Sequence, residues 1–219
     1  MLSQGQHAIK QSRFSVRLCA YAAGLLLLSS QAVGSEPNPD DALGLVRTTT
    51  QLVLSEVKAD EAAIQSDPVH AYRIVEKHVS PHVDLERSSR WVLGKHWRRA
   101  SDAQKLRFIA EFRMLLLNTY ASALAANPSV TIEYLPLKES RRKGVAIVRT
   151  RIPQQTGRPI SVHYRMYNGK TGWKLFDVSI EGVSMVSTYR SSFSQLVKDR
   201  GLDGLIDDLA TKNRARSDA

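Results

Sequence analysis

Residues 173–209 read WKLFDVSIEGVSMVSTYRSSFSQLVKDRGLDGLIDDL. The first eight alternate like a strand, with Phe176, Val178 and Ile180 in one phase and Trp173 and Leu175 in the other. One extra residue near Leu175, a β-bulge, would bring both sets to the same face. Gly182 closes the strand, and the period then changes. Val183, Val186, Tyr189, Arg190, Phe193, Leu196 and Val197 recur at helical spacing. Gly201 ends that helix, and 202–209 forms a last short one. A strand handing over to a helix at a single glycine fixes the carboxyl end of the fold.

Upstream, three more segments alternate: 130–137, 144–152 and 159–167. Short polar connectors join them, the clearest being Asn168-Gly169-Lys170-Thr171-Gly172, so the four strands form an antiparallel meander. Ile160, Val162, Tyr164 and Met166 share one face, and Ser161, His163 and Arg165 the other.

Before the meander the chain is helical. Asp40 caps a helix over 40–65 that carries Leu43, Val46, Thr50, Val53, Val57 and Ile64. Asp67-Pro68 opens a second helix with Ala71, Ile74, Val75 and His78, which Pro81 ends. A short helix over 83–93 stops at Gly94. Ser101-Asp102-Ala103-Gln104 is a capping box that opens the longest helix, 101–126, stopped by Asn127-Pro128. Its stripe of Phe108, Ile109, Phe112, Leu115, Leu116, Tyr120 and Leu124 is broad enough for deep burial. The fold class is α+β: a curved four-stranded antiparallel sheet with helices packed around it, in one domain over 41–211. A polar lead-in, 35–40, precedes it and a charged, frayed tail, 212–219, follows.

The first 34 residues read as a Sec-type signal peptide. Lys10, Arg13 and Arg17 precede an apolar run over 18–28, too short to span a bilayer, and Ala32-Val33-Gly34 offers a cleavage site. Cys19, the one cysteine, leaves with the signal, so the 185 remaining residues are exported without a disulfide, as a Gram-negative periplasm tolerates. Those residues keep 28 basic and 21 acidic side chains. Nucleic acid is excluded as a partner by export, which leaves anionic headgroups or acidic proteins for clusters such as 95–99 (KHWRR) and 138–143 (KESRRK).

Catalytic patterns are weak. His78 and His82 have ligand spacing, but Pro81 interrupts the helix and His96 lies in a basic run, so no metal site is expected. Asp177 and Glu181 would stand about 13 Å apart on a strand, too far for paired acid–base work. The serines of 184–194 lack a nucleophile elbow, and no phosphate-binding or dinucleotide glycine pattern occurs. What remains is aromatic and aliphatic excess from both layers. By periodicity alone it reads as filled core, with a cavity between layers as the alternative.

Two blocks resemble a known family. Leu93-Gly94-Lys95-His96-Trp97-Arg98, followed by Gln104, Phe108, Phe112, Leu116 and Tyr120, is one. Val178, Glu181-Gly182-Val183-Ser184, Tyr189-Arg190, Phe193 and Gly201-Leu202-Asp203-Gly204-Leu205 make the other. In this order behind a signal peptide they resemble MlaC proteins, the toluene-tolerance or auxiliary transport family, over about 41–209. The chain departs from the pattern most in its basic 138–143 connector.

The resemblance implies a monomeric periplasmic phospholipid carrier, not an enzyme, with no cofactor beyond bound lipid. Its partners would be an outer-membrane lipoprotein–porin complex and an inner-membrane ABC transporter with an MCE-domain subunit, and its role would be to maintain outer-membrane lipid asymmetry. Tyr120, Ile147, Val162, Tyr164, Met166, Phe176, Val178, Tyr189 and Phe193 would line the apolar pocket, and Arg90, Arg149 and Arg190 would stand at the headgroup rim. Two other functions compete: an exported α+β enzyme using His163 or Asp177, and a non-lipid adaptor with a filled core and a basic working surface.

Overall fold

The computed structural model describes residues 38–217 apart from 68, 126–128 and 138–141. Residues 1–34, expected to be a signal, the first residues of the lead-in, the Asn127-Pro128 stop and most of the 138–143 connector lie outside the described residues. Helix α1, Pro39–Ala59, is capped two residues earlier than expected: the Asp40 N–H donates to Asn38 Oδ1 at 3.0 Å, with Pro39 in the first turn. The helix expected over 40–65 is two helices. Asp60 leaves helical geometry (φ −101°, ψ 18°), and α2, Glu61–Ser66, turns to bring Ile64 against Val57, Ala71 and Ile74.

Helix α3, Val69–His78, and a 3₁₀ turn, Ser80–His82, lead into α4, Leu85–Leu93, which Asp84 caps through the Arg87 N–H at 2.8 Å. A second 3₁₀ turn, Gly94–His96, precedes α5, Asp102–Ala125. Its capping box forms in both directions: Ser101 N–H to Gln104 Oε1 at 3.0 Å, and Gln104 N–H to Ser101 Oγ at 3.2 Å.

The sheet has five strands in sequence order, all antiparallel: β1, Glu133–Tyr134; β2, Val145–Ile152; β3, Ile160–Gly169; β4, Gly172–Ile180; and β5, Val183–Ser184. The expected 130–137 strand shrinks to β1. The fifth strand replaces what the sequence reads as the first turn of a helix. Glu181 (φ 50°) and Gly182 (φ 80°) both take left-handed backbone, the pattern of a tight I′ hairpin, and fold Val183–Ser184 back onto Ile180–Ser179. Glutamate at such a position is uncommon, which hides the turn from a reading based on Asn-Gly or Asp-Gly. Helix α6, Met185–Ser217, then runs on with a break at Gly201 and stays helical through the stretch expected to fray. Asn213, within it, is buried and donates to the Glu111 carbonyl at 2.9 Å.

The bulge exists, and it sits at Phe176. Arg165 is opposite Asp177 while Met166 is opposite Leu175, so Phe176 is the extra residue. Trp173 and Leu175 therefore join Val178 and Ile180 on the inner face, with Ala146, Val148, Thr150, Val162, Tyr164 and Met166. Phe176 moves to the outer face, where its ring meets Trp91 at 6.0 Å and Tyr167 at 6.1 Å.

Asp177, beside the bulge, is buried. It accepts from the Ser184 hydroxyl at 2.8 Å and the Val186 N–H at 3.1 Å, and faces the Arg165 guanidinium at 3.5 Å. It caps α6 from the strand two turns of chain earlier. Asp177→Ala removes the acceptor of the Val186 N–H, leaving only Ser184 Oγ, which accepts from Ser187 N–H at 3.1 Å, and should cost about 2–3 kcal/mol, seen as a lower urea midpoint with an unchanged slope.

Candidate functional site

Apolar side chains gather in three clusters. In the first, Val92, Leu93 and Trp97 meet Phe108 and Phe112 of α5 and Val186, Phe193, Val197, Leu205 and Ile206 of α6. Phe108 stacks on Phe112 at 5.6 Å, and Phe193 meets both edge-on at 6.0 and 6.2 Å. In the second, Ala42 and Val46 of α1 cover Ala146, Val148, Met166 and Trp173 on the inner sheet face. In the third, Val53 and Val57 of α1 meet Ile64, Ala71, Ile74 and Ala121.

These clusters do not merge, although a domain of this size usually has one dominant core. Helix α1 runs from the second to the third, α5 from the first to the third, and β4 hands over to α6 between the second and the first. Apolar residues at the junctions are only half-buried: Tyr164 on the sheet, Leu116 on α5 and Tyr189 on α6 fringe the clusters, while Tyr120 and Val178 belong to none of them.

The structure thus sorts the nine pocket residues read from the sequence. Val162, Tyr164, Met166 and Val178 stand together on the inner sheet face, Tyr164 in register with both Val148 and Val178. Tyr120, Tyr189 and Phe193 stand together in the helical layer, the Tyr189 ring 5.3 Å from Phe112 and 5.4 Å from Phe193. Ile147 and Phe176 lie on the other side of the sheet: Ile147 is opposite Arg165 and 41% exposed. Ile147 alternates with the inward Val148 and so faces the other side, and the bulge turns Phe176 outward.

The three arginines are not brought together. Arg149 lies on the outer face and donates to the Pro136 carbonyl at 2.7 Å. Arg90 is exposed on α4 and paired with Glu86 at 2.9 Å. Arg190, on α6, lays its guanidinium against Gly94, where an added Cβ would stand 3.0 Å from Nη2; with φ 54°, only glycine suits that position.

The interior carries phenols rather than charges. Burial raises the Tyr120 hydroxyl well above the usual tyrosine range, and a hydrogen bond with Tyr189 adds to it. Burial likewise raises Tyr164, against a lowering contact from Thr150. Tyr120 and Tyr164 are therefore uncharged near neutral pH. On α1, the Thr50 hydroxyl bonds Tyr134 of β1 and tethers that helix over the sheet. The helical period marks Thr50 as inward-facing, but nothing local points to its partner 84 residues away.

The described histidines stand among separate neighbours. His78 and Lys77 both bind Glu56, which these contacts hold below the usual carboxylate range. His82 is lowered by burial and Lys174. Among the described residues no three His, Cys, Asp or Glu side chains are placed to hold a metal ion. Asp177 is committed to capping, and His163 stands on the outer face opposite Arg149 and Ser179. Two open grooves of about 380 and 480 Å³ lie elsewhere, at Asp84–Tyr167–Lys174 and at Glu76–Leu106–Arg113.

Comparison with known proteins follows this geometry. The family described as MlaC protein matches residues 47–211. The "Intermembrane phospholipid transport system binding protein MlaC" of Haemophilus influenzae is 28% identical over 74% of this chain and 77% of its own length. The "Toluene tolerance protein ttg2D" of Pseudomonas putida is 25% identical over 73% of this chain and 74% of its own. A solved phospholipid-binding protein from Ralstonia solanacearum, in complex with a phospholipid, superposes with a TM-score of 0.73 at 27% identity, covering 80% of this chain and 97% of that one. The matched span takes in the first and third clusters, the sheet side of the second, the bulge and the α6 cap, and by it this chain belongs to the MlaC family.

Proposed function

We propose that this protein is a periplasmic phospholipid carrier. In this reading it moves lipid between an outer-membrane lipoprotein–porin complex and an inner-membrane MCE-domain ABC transporter complex, and so maintains outer-membrane lipid asymmetry. The observation that carries the proposal is the divided core: three apolar clusters with half-buried Tyr164, Val178, Tyr120 and Tyr189 at their junctions. A phospholipid-bound relative of the same fold supports it.

The energetics explain why a carrier is needed and why it needs no cofactor. About 30 tail methylenes at about 0.8 kcal/mol each hold a diacyl lipid in its bilayer by up to about 24 kcal/mol against water. An interior that parts along its cluster junctions offers the tails the same apolar contact, so bilayer and protein nearly cancel. No bond has to break, and small differences between donor and acceptor then set direction.

Val162, Tyr164, Met166 and Val178 would form the sheet wall, and Tyr120, Tyr189 and Phe193 the helical wall. The phenols would supply hydrogen bonds inside the mouth without placing charge beside the tails. Arg90, Arg149 and Arg190 are the headgroup candidates; Arg190, beside the half-buried Tyr189, is the one joined directly to the helical wall.

Two outcomes test this. Val178→Trp fills the junction and should lower extraction of a fluorescent phospholipid from vesicles at least about tenfold, while the thermal midpoint moves by only a few degrees. Equal extraction by a folded variant would remove the sheet wall from the account. Because Tyr120 and Tyr164 titrate above the ordinary tyrosine value of about 10, extraction by the wild type should be flat from neutral pH to about 9. A decline across that range would mean that a charged group gates the interior.

A further inference from the structure

Ile147, Phe176 and Arg149, which the sequence placed at the lipid site, stand instead on the outer side of the sheet, and other side chains join them there. Helix α4 packs along the outer side of β4, where the Ser88 hydroxyl donates to the Phe176 carbonyl at 2.8 Å. Phe176 is the hub. Its ring lies 6.0 Å from Trp91 of α4 and 6.1 Å from Tyr167 of β3, and the guanidinium carbons of Arg87 and Arg165 stand 5.9 and 5.7 Å from its centre. Arg87 lies closer still to the Tyr167 ring, at 3.5 Å. Arg165 is in register with Ile147 of β2, and Arg149 follows two residues along the same face. Ile147 is left 41% exposed and Trp91 43%. A chain of contacts thus joins Trp91 to Phe176, Phe176 to Arg165, and Arg165 to Ile147, with Arg87 laid on Tyr167 beside them.

The surface is cationic. Arg87 faces Asp84 at 3.8 Å and Arg165 faces Asp177 at 3.5 Å, both longer than a good hydrogen bond, so the guanidinium N–H groups stay open to another acceptor. The two carboxylates are meanwhile held by the fold. Asp84 accepts from the Arg87 backbone N–H and the Tyr167 hydroxyl, and Asp177 from the Ser184 hydroxyl and the Val186 N–H. Arg149 spends one N–H on the Pro136 carbonyl, and no described carboxylate pairs with it. Lys174, opposite Tyr167, is engaged with the Pro81 carbonyl at 2.7 Å. The cations left open are therefore arginines.

We propose that this outer sheet face docks an acidic protein partner, whose carboxylates meet the guanidinium groups of Arg87, Arg165 and Arg149 and whose apolar side chains cover Ile147 and Trp91. Charge complementarity selects an acidic occupant. The support beneath the arginines selects a protein over a bilayer. Phe176 is buried and Tyr167 half-buried, so these rings hold guanidiniums in place and have no free length to enter a headgroup layer. A planar guanidinium fixed on a ring presents its fork in one orientation, which suits bidentate pairing with a carboxylate held by a folded partner. Tryptophan, tyrosine, phenylalanine and arginine in mutual contact, with the aromatic centre already desolvated, is the make-up of a protein-interface hot spot. The face lies across the sheet from the apolar junctions, so docking and lipid carriage can fail independently.

The test is an NMR titration of the isotope-labelled protein, as exported, with a short acetylated peptide alternating glutamate and tyrosine, beside its glutamine–tyrosine counterpart. The glutamate peptide should move the amide signals of Ile147, Arg149, Arg165 and Tyr167 and the Trp91 indole N–H, less so as salt rises, and the glutamine peptide should leave them in place. Ile147→Glu sets a carboxylate opposite Arg165 on an exposed site and should weaken binding at least about tenfold with an unchanged thermal midpoint. The pair Arg87→Lys, Arg165→Lys keeps both charges but removes the forks, and should weaken it about fivefold. Phospholipid bound to the purified wild type and to Ile147→Glu should be equal, which keeps this result distinct from the carrier reading. Shifts confined to other surfaces, no shifts, or equal affinity in folded Ile147→Glu would overturn the proposal. Co-sedimentation of the wild type with phosphatidylglycerol vesicles that Ile147→Glu abolishes would overturn it in favour of a membrane.

Discussion

The buried carboxylate of Asp177 ties the two halves of this structure together. It lies beside the residue that bulges β4, faces Arg165 on the neighbouring strand, and accepts from Ser184 and from the Val186 N–H at the start of α6. The bulge sets which side chains of β4 face inward; the cap sets where α6 begins. Without the first, Trp173 and Leu175 would leave the inner face. Without the second, the helix carrying Tyr189 and Phe193 would lose its fixed angle to the sheet. A single charge in an apolar setting is costly unless it is fully engaged, and here every contact it makes is one the fold requires.

From that joint the rest follows by packing. Helices α1 and α5 and the β4–α6 unit each span two clusters, so the interior is a frame with apolar junctions rather than one continuous core. A frame of this kind keeps its geometry through the clusters, where Phe108 and Phe112 of α5 stack and Phe193 of α6 meets Phe108 edge-on. The junctions have fewer contacts to lose. Under the proposed function, tails entering there would replace weak packing with stronger packing, which would let the folded protein admit an apolar ligand without unfolding.

Much of this was legible in the sequence where the signal was local. The Ser101–Gln104 capping box formed as read, and the phase conflict between Leu175 and Phe176 called for a bulge that is present. The α+β class followed from the change of period after Asn127. Where contacts are distant or backbone geometry unusual, the reading fell short. Asp60 broke a helix whose apolar period continued unbroken, because packing of Ile64 outweighed propensity. Glu181 hid a fifth strand behind an atypical turn residue. The exact bulge position, one residue from its estimate, decided the face of Phe176, and a one-residue error in a strand always inverts the side.

The central claim is that the apolar junctions hold phospholipid tails. Native mass spectrometry of the protein, purified from the periplasm without detergent, tests it most directly. The account predicts a population heavier than the polypeptide by the mass of a diacyl phospholipid, released by activation as intact lipid. A single lipid-free mass under gentle conditions, from protein that also takes up nothing from vesicles, would contradict it.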